Sequence, residues 1–201
     1  MDIVESCPCR RALVSLWVKS WASFVLVVCG FYWIPVKGWG HMKAARASRA
    51  IVIFNHESYI DPVVLGALLP PSGVAKAGVA EIPFIGLFAR ALQFLFVERR
   101  GSADAPNRFT LRSDPVEAIA ARAADARFPL VMVAPEATTK SQRCLLRFRR
   151  GAFAPGRPVV PVLLRYSYRH FNPGCGIVLL CFKGARGAAR TLTFYIKGFF
   201  L

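Results

Sequence analysis

The chain has 201 residues and a mass of 22.2 kDa, room for one domain with a sizeable core plus an appendage. Hydrophobic residues make up 55% and the mean hydropathy is +0.41, both high for a soluble protein and indicative of lipid contact. The formal charge of +16 is compatible with a membrane surface, nucleic acid or an anionic small substrate, but no Asp or Glu follows Glu136 and the basic residues beyond it are interleaved with apolar runs. That interleaving argues against a polar nucleic-acid tail and for a membrane-facing or phosphate-facing surface.

Arg10 and Arg11 precede an apolar stretch over residues 13–34, interrupted by Lys19. The clean part, 21–34, is shorter than the roughly 20 apolar residues of a full span, so crossing or inserting requires Lys19 to snorkel to the interface. Trp17, Trp21, Tyr32, Trp33 and Trp39 resemble interfacial anchors near the two ends. No small-residue cleavage site follows, and Phe31-Tyr32-Trp33 is bulky, which favours a signal anchor or a re-entrant hairpin over a secretory signal peptide. Basic residues flank both ends and leave the orientation open. Residues 41–49 read as a short basic linker. The six cysteines lack zinc-ligand spacing and read as mostly reduced thiols facing the cytosol, with palmitoylation of Cys7 and Cys9 left open.

Ala50-Ile51-Val52-Ile53-Phe54 reads as a buried strand, and Pro62 to Leu69 as a short helix. Between them lies Asn55-His56-Glu57-Ser58-Tyr59-Ile60-Asp61. Asp61 before Pro62 predicts an N-cap followed by a proline in the first turn. Five residues of ideal helix turn about 500°, so His56 and Asp61 would not share a helical face. A turn that ends at Asp61 can instead fold the imidazole back to the carboxylate, making His56 a candidate general base. The plainer reading is a histidine in a turn beside ordinary capping.

Further along, strands are predicted at 74–77, 93–97 and 130–134, with a short helix at 84–91. Asp114, Pro115 and Glu117 fit N-cap, first position and capping-box partner of a helix running to about Arg127. Residues 144–148 suggest a strand, and 151–156 a tight turn or one helical turn. Val159 to Tyr166 is a strand whose Pro161 predicts an edge or bulged position. Alternating strands and helices give an α/β class, a central mixed sheet flanked by helices. The chain divides into an anchoring segment with linker (1–47), the α/β domain (48–172) and a basic, apolar tail (173–201). The polar signatures Asn55-His56, Arg99 and Glu136-Thr138 fall just after strand ends, where α/β folds place ligands.

Four segments together resemble the glycerophospholipid acyltransferases with their H-x4-D signature. They are His56 to Asp61, Phe96-Val97-Glu98-Arg99, Pro135-Glu136-Ala137-Thr138-Thr139, and Val160-Pro161-Val162. The stretches 145–153 and 158–166 resemble the lysophosphatidylcholine/lysophosphatidylethanolamine branch, and the likeness spans about residues 48–172. It implies a membrane enzyme, of the endoplasmic reticulum in a eukaryote and with a cytosol-facing site. It would transfer an acyl chain from acyl-CoA to a lysophospholipid hydroxyl, with no metal, cofactor, nucleic acid or protein partner. By the resemblance His56 is the base and Asp61 its support. Arg99, Glu136, Thr138 and Thr139 belong to the acceptor-binding blocks, Asn55 and Ser58 lie at the substrate, and Pro161 shapes the wall of the site.

Taken singly, Arg99 is also a strand end, Glu136 turn chemistry, Pro161 edge protection, and Ser58 and Tyr59 turn fillers. Ala137 stands where the family usually has glycine, and the segment after Phe171 departs from the pattern, leaving open a truncated or misassembled end. The rival readings are a lysophosphatidic acid or glycerol 3-phosphate acyltransferase, and a membrane-surface binding protein of the same fold without turnover.

Overall fold

The computed structural model describes residues 8–98, 107–138, 146–166 and 192–196. Its helices are α1 (Pro8–Val28), α2 (His41–Ala47), α3 (Asp61–Leu68), α4 (Ile85–Ala91) and α5 (Pro115–Ala124). Its strands are β1 (Val36–Lys37), β2 (Ile51–Phe54), β3 (Ser72–Lys76), β4 (Leu95–Val97), β5 (Val131–Val133), β6 (Val159–Tyr166) and β7 (Leu192–Ile196). Short 3₁₀ turns occupy Ala77–Glu81 and Arg150–Ala152. The strands form one sheet in the order β1-β7-β6-β2-β5-β3-β4. Every pairing is parallel except β6 with β7, so the sheet is mixed, as expected.

β2 is the central strand, buried at all four residues. Its pleat sends Val52 and Phe54 into the core shared with α1, α3 and α4, and Ile51 and Ile53 into the core under α5. A strand covered on both faces must be apolar throughout, which is why β2 is a continuous hydrophobic run. Gly66 of α3 leaves room for the Phe88 ring of α4: a Cβ there would lie 2.3 Å from that ring.

Several elements differ from the sequence reading. The expected linker at 41–49 contains α2, which buries Met42 and Ala45. Arg49, beyond it, adopts φ 54° and donates to the carbonyls of Ala123, Phe128 and Asp125 at 3.2, 2.9 and 2.6 Å. These satisfy the last turn of α5 and the loop after it, and α5 ends at Ala124 rather than near Arg127. Asp114 caps α5 and Pro115 opens it as predicted, the Asp114 carboxylate accepting from Val116 N and Glu117 N at 2.9 and 3.2 Å. Leu146 to Phe148 belong to no strand.

β6 is internal, between β7 and β2, and not an edge strand. Pro161 pairs in register with Ile53 of β2, one residue before the described part of the β6–β7 pairing. β1 and α2, N-terminal to residue 48, and β7, within the segment 173–201, all take part in the same sheet and core.

α1 contains one stretch, Arg11–Val28, long and apolar enough to cross a membrane by length and composition. It is docked along one side: Val18, Ala22 and Leu26, four residues apart, are buried against the domain, and Trp21 meets Phe88 at 5.3 Å. Leu13, Leu16, Trp17, Phe24, Val27 and Val28 are exposed on the opposite side.

Candidate active site

Asp61 organises the turn after β2. It is the first residue of α3, with Ile60 at the cap position, so it is not the N-cap the sequence suggested. Its carboxylate reaches back into the turn instead of forward into the helix. Oδ2 accepts from Glu57 N at 2.7 Å, Ser58 N at 2.8 Å and His56 Nδ1 at 2.9 Å. Oδ1 accepts from the hydroxyl of Tyr166 on β6. Asp61 is fully buried. Four donors converging on one carboxylate replace the water lost on burial, without which an ionised group would be very costly there.

The His56 side chain keeps 21% of its surface exposed. Because the carboxylate only accepts, the ring proton sits on Nδ1, and Nε2 carries the lone pair. Nε2 has no hydrogen-bond partner among the described residues. Phe54 lies edge-on to the ring at 5.6 Å between centroids, bracing it from the strand side. The unit is therefore a histidine fixed in tautomer and orientation, able to take a proton from a bound hydroxyl.

Asn55 and Ser58, expected at the substrate, serve the framework. The Asn55 amide bonds both backbone groups of Leu164, Nδ2 donating to its carbonyl and Oδ1 accepting from its N–H, each at 2.8 Å. Its Nδ2 also donates to Glu57 Oε1. This fastens the end of β2 to β6. Ser58 is fully buried, and its Oγ accepts from Ile60 N at 3.2 Å, so its hydroxyl shapes the turn. Tyr59 next to it is exposed.

Glu136 and Thr138 follow the end of β5, the parallel neighbour of β2, and so lie on the same edge of the sheet as His56. Glu136 is buried and accepts from Leu146 N at 3.1 Å, which ties Leu146 to the loop after β5; Thr138 is exposed. Pro161 pairs in register with Ile53, three residues before His56. The parts of β6 that reach the site are Leu164 and Tyr166. Arg99 and Thr139 lie outside the described residues. Sequence reasoning missed Tyr166, whose only signal was a tyrosine closing an apolar strand. Tyr166→Phe is expected to leave Asp61 Oδ1 short of a donor and to destabilise the fold by about 1–3 kcal/mol, read from denaturant midpoints. An unchanged midpoint would show the hydroxyl is not needed there.

Ala137 adopts φ 55°, the left-handed conformation that glycine takes without steric cost. The turn needs it: Ala137 N donates to Ala134 O at 2.9 Å, and Arg149 N to Pro135 O at 2.8 Å. Ala137→Gly is expected to stabilise the domain by about 0.5–1 kcal/mol, the relief of the left-handed penalty exceeding the added chain entropy. A lowered thermal midpoint would contradict this.

Residues 36–165 match the Acyltransferase family. Lysophospholipid acyltransferase LPEAT2 of Arabidopsis thaliana is 36% identical over 156 residues, 78% of this chain and 27% of that protein. Lysophosphatidylcholine acyltransferase of Drosophila melanogaster is 37% identical over 142 residues, 70% of this chain and 25% of that protein. The chain thus spans about a quarter of the length of these curated relatives. The crystal structure of the 1-acyl-sn-glycerophosphate (LPA) acyltransferase PlsC from Thermotoga maritima has the same fold, with TM-score 0.66 and 17% identity, covering 98% of this chain and 73% of that one. The family match runs from β1 almost to the end of β6, taking in the His56–Asp61 turn and the Glu136 loop, and the chain belongs to the Acyltransferase family.

Proposed function

We propose that the chain carries the catalytic centre of an acyl-CoA-dependent lysophospholipid acyltransferase acting on lysophosphatidylcholine or lysophosphatidylethanolamine. The observation that carries this is the His56 Nδ1–Asp61 hydrogen bond, which leaves Nε2 as the base. Nε2 takes the proton of the free glycerol hydroxyl as its oxygen attacks the thioester carbonyl. The carbon–sulfur bond then breaks, and the thiolate of CoA takes the proton back from the imidazolium. An ester and a free thiol result, and His56 is regenerated. The substrate supplies the nucleophilic hydroxyl, so no protein nucleophile is needed. The acyl donor is a co-substrate, and the chemistry requires no metal or cofactor.

In this reading Arg99 holds the acceptor phosphate by charge-assisted hydrogen bonds, and Thr138 and Thr139 contact the acceptor beside it. Glu136 fixes the loop that carries them. The names of the Arabidopsis and Drosophila relatives favour a lysophospholipid over glycerol 3-phosphate as acceptor. The enzyme works at a membrane, with the outer face of α1 in the lipid interface and the docked face on the domain. For a eukaryotic cell the reading is an enzyme of the endoplasmic reticulum with its site facing the cytosol.

Isolated membranes given labelled acyl-CoA and a panel of lysophosphatidylcholine, lysophosphatidylethanolamine, lysophosphatidic acid and glycerol 3-phosphate test the reading. Preferred labelling of one of the first two supports it. Labelling of lysophosphatidic acid or glycerol 3-phosphate alone would move the chain to another acceptor class.

A further inference from the structure

A cavity of about 480 Å³ opens at the edge of the sheet opposite His56. Its walls lie where the chain enters the strands: Arg49 precedes β2, Pro70 β3, Gln93 β4 and Leu130 β5. His56 and Glu136 follow the other ends of β2 and β5. From Arg49 to His56 the chain runs along an extended strand, which at about 3.3 Å per residue separates the two sites by roughly 20 Å. Substrates of α/β folds bind at the carboxyl ends of strands, so this cavity is separate from the acyl-transfer site.

Five cations line it: Arg11 and Lys19 from α1, Arg46 from α2, Arg49, and Arg127. No carboxylate is among the described residues lining it. Arg49 is committed to the backbone after α5, and Arg127 pairs with Asp125 at 2.7 Å. Arg11 gives Nη1 to Arg127 O at 2.9 Å. Lys19 and Arg46 have no hydrogen bond or ion pair among the described residues. Between these charges the surface is apolar, formed by Val14, Met42, Leu69 and Leu92.

Arg11, Ser15 and Lys19 repeat at i, i+4, i+8 and so form one stripe of α1. The other side of the same turns exposes Leu13, Leu16 and Trp17. With that side in lipid, the groove opens beside the headgroups. We infer that it binds the headgroup of an acidic phospholipid, with Arg11, Lys19 and Arg46 around the phosphate and the apolar surface against the glycerol and the first methylenes. The inference rests on the proposed placement of α1 at the membrane surface. A small soluble anion would use the cations but leave the apolar surface uncovered, and a neutral lipid would leave Lys19 and Arg46 without a counter-charge.

The test is co-sedimentation of the full chain with vesicles of phosphatidylcholine alone and of phosphatidylcholine with phosphatidylglycerol. Wild type is compared with Lys19→Gln/Arg46→Gln and with Lys37→Gln/Lys43→Gln. The second pair removes the same charge from exposed cations outside the groove. Wild type is expected to favour the acidic vesicles. The groove variant is expected to lose about thirty-fold of that preference and the control less than about threefold, since two cations at an anionic surface together account for about that factor. Circular dichroism confirms that each variant is folded. Equal losses in the two variants would mean diffuse charge and overturn the groove. Equal binding of wild type to both vesicles would overturn the groove while leaving the placement of α1 standing, and binding to neither would overturn both. A thermal midpoint raised by inorganic phosphate in wild type but not in the groove variant, with no vesicle preference, would replace the lipid with a soluble anion.

Discussion

Asp61→Asn is expected to lower acyl transfer by about 10³–10⁴-fold, the scale on which loss of an orienting carboxylate acts in histidine-based catalysis. The change is nearly isosteric, so the effect comes from hydrogen-bond polarity. At present Oδ2 receives three donors, His56 Nδ1, Glu57 N and Ser58 N. If the amide oxygen takes the two backbone donors, its NH₂ group faces the Tyr166 hydroxyl, and the imidazolium that forms during the reaction loses its counter-charge. If the NH₂ group turns toward His56, Nδ1 must become an acceptor, the proton moves to Nε2 and the base is lost. The first orientation replaces charge-assisted bonds by neutral ones and turns the Tyr166 hydroxyl to accept, and the second sets the NH₂ group against the Glu57 and Ser58 N–H donors, so each costs about 1–3 kcal/mol of stability in this fully buried site. Initial rates with saturating acyl-CoA, alongside a denaturation curve, separate the two effects. A variant with full activity would show that Asp61 only builds the turn.

His56→Ala is expected to reduce transfer by about 10²–10⁴-fold, the contribution of a positioned general base. Here stability should hardly change. The ring is partly exposed, and after its removal Asp61 retains the Glu57, Ser58 and Tyr166 donors. The loss of one hydrogen bond to the carboxylate costs about 1 kcal/mol, water taking its place. The contrast with Asp61→Asn is informative: one variant loses activity alone, the other loses activity and stability. Similar destabilisation in both would point to a turn that collapses without either side chain.

The sequence carried the central part of this site because its cues are local. β2 is apolar throughout since both its faces are covered, and the histidine and aspartate are five residues apart in one turn. The cap of α5 was also readable, since Asp114 bonds residues two and three positions away. What could not be read is what depends on distant partners. Tyr166 meets Asp61 across 105 residues, and Asn55 meets Leu164 across 109. Nothing in the sequence near Asn55 or Ser58 announces the framework bonds that each makes, Asn55 to Leu164 and Ser58 to Ile60. Pro161 suggested an edge, but β6 lies between β2 and β7, pairings that no local pattern announces. β1 has two residues and draws its pairing from β7, far along the chain, so no local pattern announces it. Ala137 is an intermediate case: the missing glycine was visible in the sequence, and the left-handed turn that makes it matter is visible in the structure.

The most direct test of the account is a stoichiometric one. Membranes containing wild type or His56→Ala are given acyl-CoA and lysophosphatidylcholine or lysophosphatidylethanolamine, and released CoA thiol is measured together with the labelled phospholipid formed. The account predicts one thiol per ester in wild type, and a parallel loss of both, by about 10²-fold or more, in the variant. Ester formation that persists without His56, or thiol release without ester, would contradict it.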